Sequence, residues 1–291
     1  MTLHRFYSDL VFFSFFFSIL FCFLCSLVDS LLGFWVFLEL GGLSIIPCFF
    51  YGESVGFHGF YNSLLTYIIM SGISSVLLVS GILFLGLYLF VYFGFLVKFG
   101  LFPFSLWVYR VFSSSNWFFI FCLSVILKFP ILFFCFLFQN YSLALVYGDC
   151  FLTIAMCTFF VWWFSQDWSF IWCHISLVSV STLLVGCFCS DVELCFFVYF
   201  YYFVWSIMCI VFFFNVGDEA SFFSGFWVFA FLLLVTPFSF PLFYKLGVCV
   251  TIFYSSFYVL FIWSLYSFSE QFFLYKLGGD YFYSGVFNRW L

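Results

Sequence analysis

The chain has 291 residues, 67% of them hydrophobic and 7% charged, with a net charge of −5. Soluble domains carry about 25% charged residues, so this chain could not cover a water-facing surface, and its acidic balance excludes a nucleic-acid partner. At about 20 residues per span, the length accommodates about ten transmembrane helices in one membrane domain, residues 1–291, which is an all-α polytopic bundle.

In so apolar a chain the charged and turn residues act as punctuation. The first run, about Leu10 to Val28, follows His4 and Arg5 in the manner of a signal peptide, but its length suits a full span and no small-residue cleavage pattern follows. Asp29 and Ser30 separate it from a second helix at about 31–50, and Gly52, Glu53 and His58 form the next loop before a third at about 60–84. A fourth is expected at about 87–108, within the stretch Leu87 to Arg110, with Lys98 at its middle and Pro103 five residues on. Proline removes a backbone hydrogen bond, here to the carbonyl of Phe99, so this helix should break one turn beyond the lysine.

The polar turn Ser113 to Asn116 precedes a fifth helix at about 117–138, and Gln139, Asn140 and Tyr141 lead into a sixth at about 141–164. Gln166 and Asp167, then Asp191 and Glu193, then Asn215 to Glu219 bound helices at about 168–189 and 192–214. Two more are expected at about 222–245, with Pro237 and Pro241, and at about 248–268; the tail 269–291 reads as an interfacial end. There is no soluble domain and no Gly-rich phosphate loop, so nucleotide chemistry within the chain is excluded. The few Lys and Arg residues give no orientation.

The kind of apolar residue is informative. The chain has 59 Phe, 19 Tyr, 19 Gly, 13 Cys and 11 Trp against 4 Ala and 7 Thr. Helix physics favours Ala, whereas the abundant residues are those with T- and G-rich codons, which points to a biased genome such as that of an organelle. The cysteines fit that bias: Cys22 and Cys25 form a C-x-x-C inside an apolar run with no second pair at zinc-site spacing, and Cys187 and Cys189 end another span. They read as small apolar residues, with no metal site.

Four charges fall inside spans: Glu39, Lys98, Lys128 and Lys245. A lysine at the centre of a span costs about 2.5–3.5 kcal/mol, and the four together about 10 kcal/mol if unpaired. One reading is structural, with Glu39 pairing a lysine to fix helix packing and the others snorkelling to an interface. Against it, three lysines and one glutamate leave charge unpaired, and most of these residues sit too centrally to snorkel. The other reading is a proton relay, since a buried lysine can shed its proton. His174, flanked by serines that could hold it neutral, is either a further relay member or a satisfied core histidine.

The ordered motifs resemble the subunit 2 family of mitochondrial NADH dehydrogenase, an antiporter-like membrane subunit family of respiratory complex I. Phe34-Trp35-Val36-Phe37-Leu38-Glu39-Leu40 with Leu43 to Pro47 is similar to its Trp-x-x-Leu-Glu helix, and Tyr61 to Leu83 to the Ser- and Leu-rich helix that follows. Leu96 to Gly100 with Pro103, Phe104 and Trp107 is similar to its Lys-Leu-Gly…Pro-Phe-His-Phe-Trp motif, Leu127 to Pro130 to its Gln-Lys-x-Ala-Pro segment, and Pro237 with Lys245 to its Gly-Leu-Pro-Pro…Lys motif. The match spans about residues 30 to 250. It departs at Ser105, where the family has His, at the displaced Pro241, and at Phe170 and Ile171, where the family has Arg-Lys; His174 stands almost one turn on.

The resemblance implies two broken helices related by an inverted repeat, with breaks at Pro103 and at Pro237 and Pro241. It also implies a proton pathway through Glu39, Lys98, Lys128 and Lys245, and no catalytic residue in the chain. The implied setting is an inner mitochondrial membrane, with the lipid bilayer and other complex I membrane subunits as partners. NADH, FMN, iron–sulfur clusters and ubiquinone are expected elsewhere in the complex. The rivals are a free-standing cation/proton antiporter and a purely structural membrane subunit.

Overall fold

A computed structural model describes residues 2–50, 57–138, 143–165, 167–216 and 222–282. The expected loop residues Gly52 and Glu53, the turn at Gln139 to Tyr141, Gln166, most of the Asn215–Glu219 exit and the end of the tail lie outside them. Among the described residues every regular element is helical. The α-helices are α1 (Thr2–Cys25), α2 (Leu31–Ser44), α3 (Phe57–Leu83), α4 (Leu89–Phe99), α5 (Leu106–Ser113), α6 (Trp117–Ser124), α7 (Ile131–Leu137), α8 (Leu143–Phe164), α9 (Trp168–Cys189), α10 (Val192–Val216), α11 (Phe222–Leu233), α12 (Phe240–Phe253) and α13 (Phe257–Phe282).

Among the described residues, six helical stretches are long and apolar enough to cross a membrane, including Tyr61–Leu83, Leu143–Phe164 and Val192–Asn215; Asp9–Cys25, Leu89–Phe99 and Phe240–Phe253 are shorter apolar helices. Large apolar side chains point outward all round the bundle, including Phe12, Phe16, Trp163, Trp227 and Phe257. Such an exterior suits lipid, where the helices already satisfy their own backbone groups.

The bundle is built round α9, in which every residue from Ile171 to Gly186 is buried. A helix buried on all sides must be apolar all round. The buried stretch of α9 is, apart from His174 and four Ser or Thr residues, and α5, α7, α8, α10 and α12 pack against the helix. α3 and α4 approach closely at Gly81 and Gly94. A Cβ on Gly94 would lie 2.8 Å from Leu78 Cγ and 2.9 Å from the Ser74 carbonyl, and small residues of this kind let membrane helices touch.

The expected helix at about 87–108 is two helices, and it stops sooner than the proline requires. Gly100 adopts φ 68 and closes α4 directly after Phe99: its N–H reaches the Leu96 and Val97 carbonyls, and the Leu101 N–H bonds the Leu96 carbonyl at 3.0 Å. This is the glycine-terminated helix end in which a left-handed residue folds the chain back on its own last turn. Pro103, in a cis peptide with Phe102, lies in the connection before α5. The expected break is corrected accordingly: Gly100 sets its position, and Pro103 prevents the helix from resuming.

Other expected boundaries also move. The stretch 117–138 keeps the length of a span but is interrupted, because Pro130 has no N–H for the Ile126 carbonyl, which accepts from Phe129 at 3.1 Å; Lys128 lies in the resulting 3-10 turn, Ile126–Lys128. The stretch 222–245 breaks between Leu233 and Phe240. Pro237 lies in the gap, while Pro241 falls in the first turn of α12, where the missing N–H does no harm. The expected helix 248–268 with an interfacial tail is a correction of larger consequence. α12 runs on to Phe253 and α13 continues unbroken to Phe282, and Glu270, a residue of the expected tail, is buried inside the bundle and has a partner there.

Gly100→Ala tests the first break. A Cβ there would overlap Val108 Cγ2 in a left-handed backbone, whereas at Gly72 nothing lies within 4 Å. Gly100→Ala should destabilise the detergent-solubilised protein by about 1–3 kcal/mol and lower its melting temperature, with Gly72→Ala neutral or better; equal melting temperatures would remove Gly100 as the determinant.

Candidate functional site

The three intramembrane lysines lie at or near helix breaks. Lys98 is in the last turn of α4, one residue before the stop, and its Nζ donates to Glu39 Oε1 on α2 at 2.8 Å and to Ser71 Oγ on α3 at 3.0 Å. Ser71 in turn donates to Glu39 Oε2 at 3.5 Å. Three helices thus converge on one ammonium. Gly42 opens the space for it: a Cβ there would stand 3.3 Å from Lys98 Nζ, and the Gly42 carbonyl accepts from Tyr67 Oη at 2.9 Å. The side chains of Lys98 and Glu39 are 6% and 17% exposed, so the pair is nearly desolvated.

Among the described residues, Lys128 meets no carboxylate. Its Nζ donates to the Ser176 carbonyl at 2.8 Å, Ser179 Oγ at 2.6 Å and Tyr202 Oη at 2.9 Å, and lies 4.4 Å from the centre of the Tyr202 ring. All three ammonium protons have an acceptor, and the ring face adds cation–π attraction. Of the serines near His174, Ser176 through its carbonyl and Ser179 through its hydroxyl serve Lys128, not the histidine as expected.

Between the two lysines lies a cavity of about 40 Å³, lined by Lys98, Ser71 and Tyr67 on one side and Lys128, Ser124 and Ser176 on the other. At roughly 10–15 Å³ per water it has room for on the order of three waters, and its lining includes polar residues beside both lysines. A water-bridged connection from Lys98 to Lys128 is chemically available.

Lys245 lies in α12, just beyond the second break. Its Nζ is 3.3 Å from Glu270 Oε1 on α13 and donates to the Ser267 carbonyl at 3.4 Å. Sequence reasoning missed Glu270 by assigning it to the tail. A signal was present in the i, i+4, i+8 spacing of Tyr266, Glu270 and Leu274, which share the buried face. Lys128 and Lys245 do not share a shell; aromatic side chains separate them, with the Tyr202 and Tyr244 rings 5.8 Å apart. His174 stands apart from Lys98 and Lys128, with Nδ1 2.8 Å from Tyr109 Oη.

Both breaks are held by side chains from other helices. Trp107 Nε1 donates to the Val97 carbonyl at 3.0 Å and the Phe102 N–H to Thr153 Oγ1 at 3.0 Å. At the second break, Trp205 Nε1 donates to the Leu232 carbonyl at 2.7 Å, and Gln271 bonds the Leu233 carbonyl and the Val235 N–H. Irregular backbone at membrane depth persists only where such partners exist. Among the described residues no group of three or more His, Cys, Asp or Glu is placed to hold a metal ion.

No family model and no curated protein matches the chain. The fold does match: a chain in the structure of respiratory complex I from Thermus thermophilus with bound aureothin superimposes with a TM-score of 0.70 at 14% identity, covering 94% of this chain and 69% of that one. The protein is thus a membrane-type helical bundle with the fold of a respiratory complex I chain.

Glu39→Gln would leave the Lys98 ammonium buried without a carboxylate, which costs about 3–5 kcal/mol. The double variant Glu39→Gln/Lys98→Met should recover most of that loss in thermal unfolding, because no uncompensated charge remains. Additive losses would mean that the two residues are not coupled.

Proposed function

We propose that the chain is an antiporter-like, proton-translocating subunit of respiratory complex I, of the subunit 2 type, in an inner mitochondrial membrane. The motifs and the T- and G-rich composition support the subunit and the organelle, and the shared fold supports the complex. The observation that carries the mechanism is the cavity lined by both Lys98 and Lys128.

The mechanism is electrostatic. Quinone reduction elsewhere in the complex perturbs a neighbouring subunit and shifts the Glu39–Lys98 pairing. Lys98 holds its proton through the carboxylate, so lengthening that contact changes its proton affinity, and water in the cavity passes the proton to Lys128. From Lys128 the proton continues by way of Tyr202 and Tyr244 toward Lys245. The energy scale is adequate: moving one charge against 100 mV requires about 2.3 kcal/mol, and a hundredfold change in proton affinity is worth about 2.7 kcal/mol. The chain would bind no flavin, iron–sulfur cluster or nicotinamide of its own.

Lys98→Ala should lower the protons translocated per NADH oxidised by the assembled complex in liposomes. Normal pumping with Lys98→Ala would eliminate the relay role. On native gels the chain should migrate with NADH–quinone reductase activity; migration as a free chain would point to a self-contained transporter.

A further inference from the structure

Three cysteines from three helices meet at one end of the bundle. The Cys187 thiol, near the end of α9, is hydrogen-bonded to Cys135 on α7 and to Cys195 in the first turn of α10. Gly186 permits the close approach of α10. A Cβ there would lie 3.5 Å from Cys195 Sγ, so that sulfur rests against the α9 backbone one residue before Cys187. Ser190, in the turn between the two helices, gives its proton to the Gly186 carbonyl at 2.8 Å, which leaves its oxygen to accept from the Cys195 thiol at 3.2 Å.

Access separates this cluster from the other cysteines. Cys187 is partly exposed, beside a turn in which Asp191 and Glu193 are exposed. Carboxylates avoid the hydrocarbon core, so this end of the bundle lies at the membrane surface, where a water-borne oxidant reaches Cys187. Cys48 and Cys122 also touch each other, but both are entirely enclosed.

We propose that Cys187 and Cys195 are a reversible dithiol–disulfide pair, with a hydroperoxide, here hydrogen peroxide, as the oxidant. The Cys187 thiolate attacks one peroxide oxygen; an S–O bond forms, the O–O bond breaks, and the departing hydroxide takes up the thiol proton as water. The Cys195 thiolate then attacks the sulfur of that sulfenic acid. An S–S bond forms, the S–O bond breaks, and the second hydroxide leaves as water with the Cys195 proton. Two thiols and one peroxide give one disulfide and two waters; the sulfurs lose the two electrons that the peroxide oxygens gain. A dithiol reductant reverses the change by thiol–disulfide exchange.

Cys195 is the partner because a short turn already joins its helix to that of Cys187, whereas Cys135 donates to the Ile131 carbonyl of its own helix at 3.7 Å. The bond would clamp the two helices that hold Lys128. α9 supplies the Ser176 carbonyl and the Ser179 hydroxyl to that lysine, and α10 supplies Tyr202. Cys187 and Cys195 lie about two turns along the same helices from Ser179 and Tyr202. The thiol chemistry is independent of the proton reading and is tested without it.

The full chain in its native membranes is exposed to hydrogen peroxide, unfolded in an alkylating agent, proteolysed and read by mass spectrometry. Peptides joined through Cys187 and Cys195 should appear and should vanish after dithiothreitol, while Cys48 and Cys122 are recovered as alkylated free thiols. Cys195→Ser should abolish the joined peptides and leave Cys187 to proceed to the sulfinic acid. Recovery of Cys187 and Cys195 as free thiols overturns the proposal. So does a Cys187 joined to Cys135 or Cys189, or a linkage that dithiothreitol does not open. The unmodified protein alone decides this, should Cys195→Ser fail to fold.

Discussion

An ammonium group inside a hydrocarbon-packed bundle must be met by oxygen, and the bundle's irregularities follow from that constraint. Lys98 and Lys245 each have a carboxylate on another helix, and Lys128 has two neutral side-chain oxygens and a backbone carbonyl. The difference has a physical consequence. A paired lysine responds to anything that moves its carboxylate, whereas Lys128 is held by groups that bear no net charge.

Each helix break lies beside one of these lysines. Stopping α4 at Gly100 leaves Lys98 at a helix end, and the Pro130 interruption puts Lys128 on a turn where it can reach α9 and α10 together. The breaks are not loose points. Trp107, Thr153, Trp205 and Gln271 bond the freed backbone groups, so their geometry depends on packing against α8, α10 and α13. Movement at a lysine would then be felt at several helices.

Much of this could be read from residues alone. The apolar composition, the polar punctuation and the three central lysines set the class of protein and the places to look. Some of the rest could not be read, because it depends on contacts between segments far apart in the chain. Pro103 is visible in the sequence, but whether the helix stops there or at Gly100 depends on whether space exists for the fold-back against Val108. Glu270 looks like a surface residue in a run with Ser269 and Gln271; only its meeting with Lys245, across 25 residues of chain, makes it an interior one. His174 similarly has serines beside it in sequence, yet those hydroxyls and carbonyls turn to Lys128 because α9 presents them on another face.

The sequence by itself determined that the chain is an all-helical membrane bundle and that its buried charges are the residues to explain, since hydropathy and charge are local properties. Tertiary structure alone decided which charges pair, where each helix ends and which polar atoms share a cavity. Those outcomes depend on distances of a few ångströms between helices, and no local pattern encodes them.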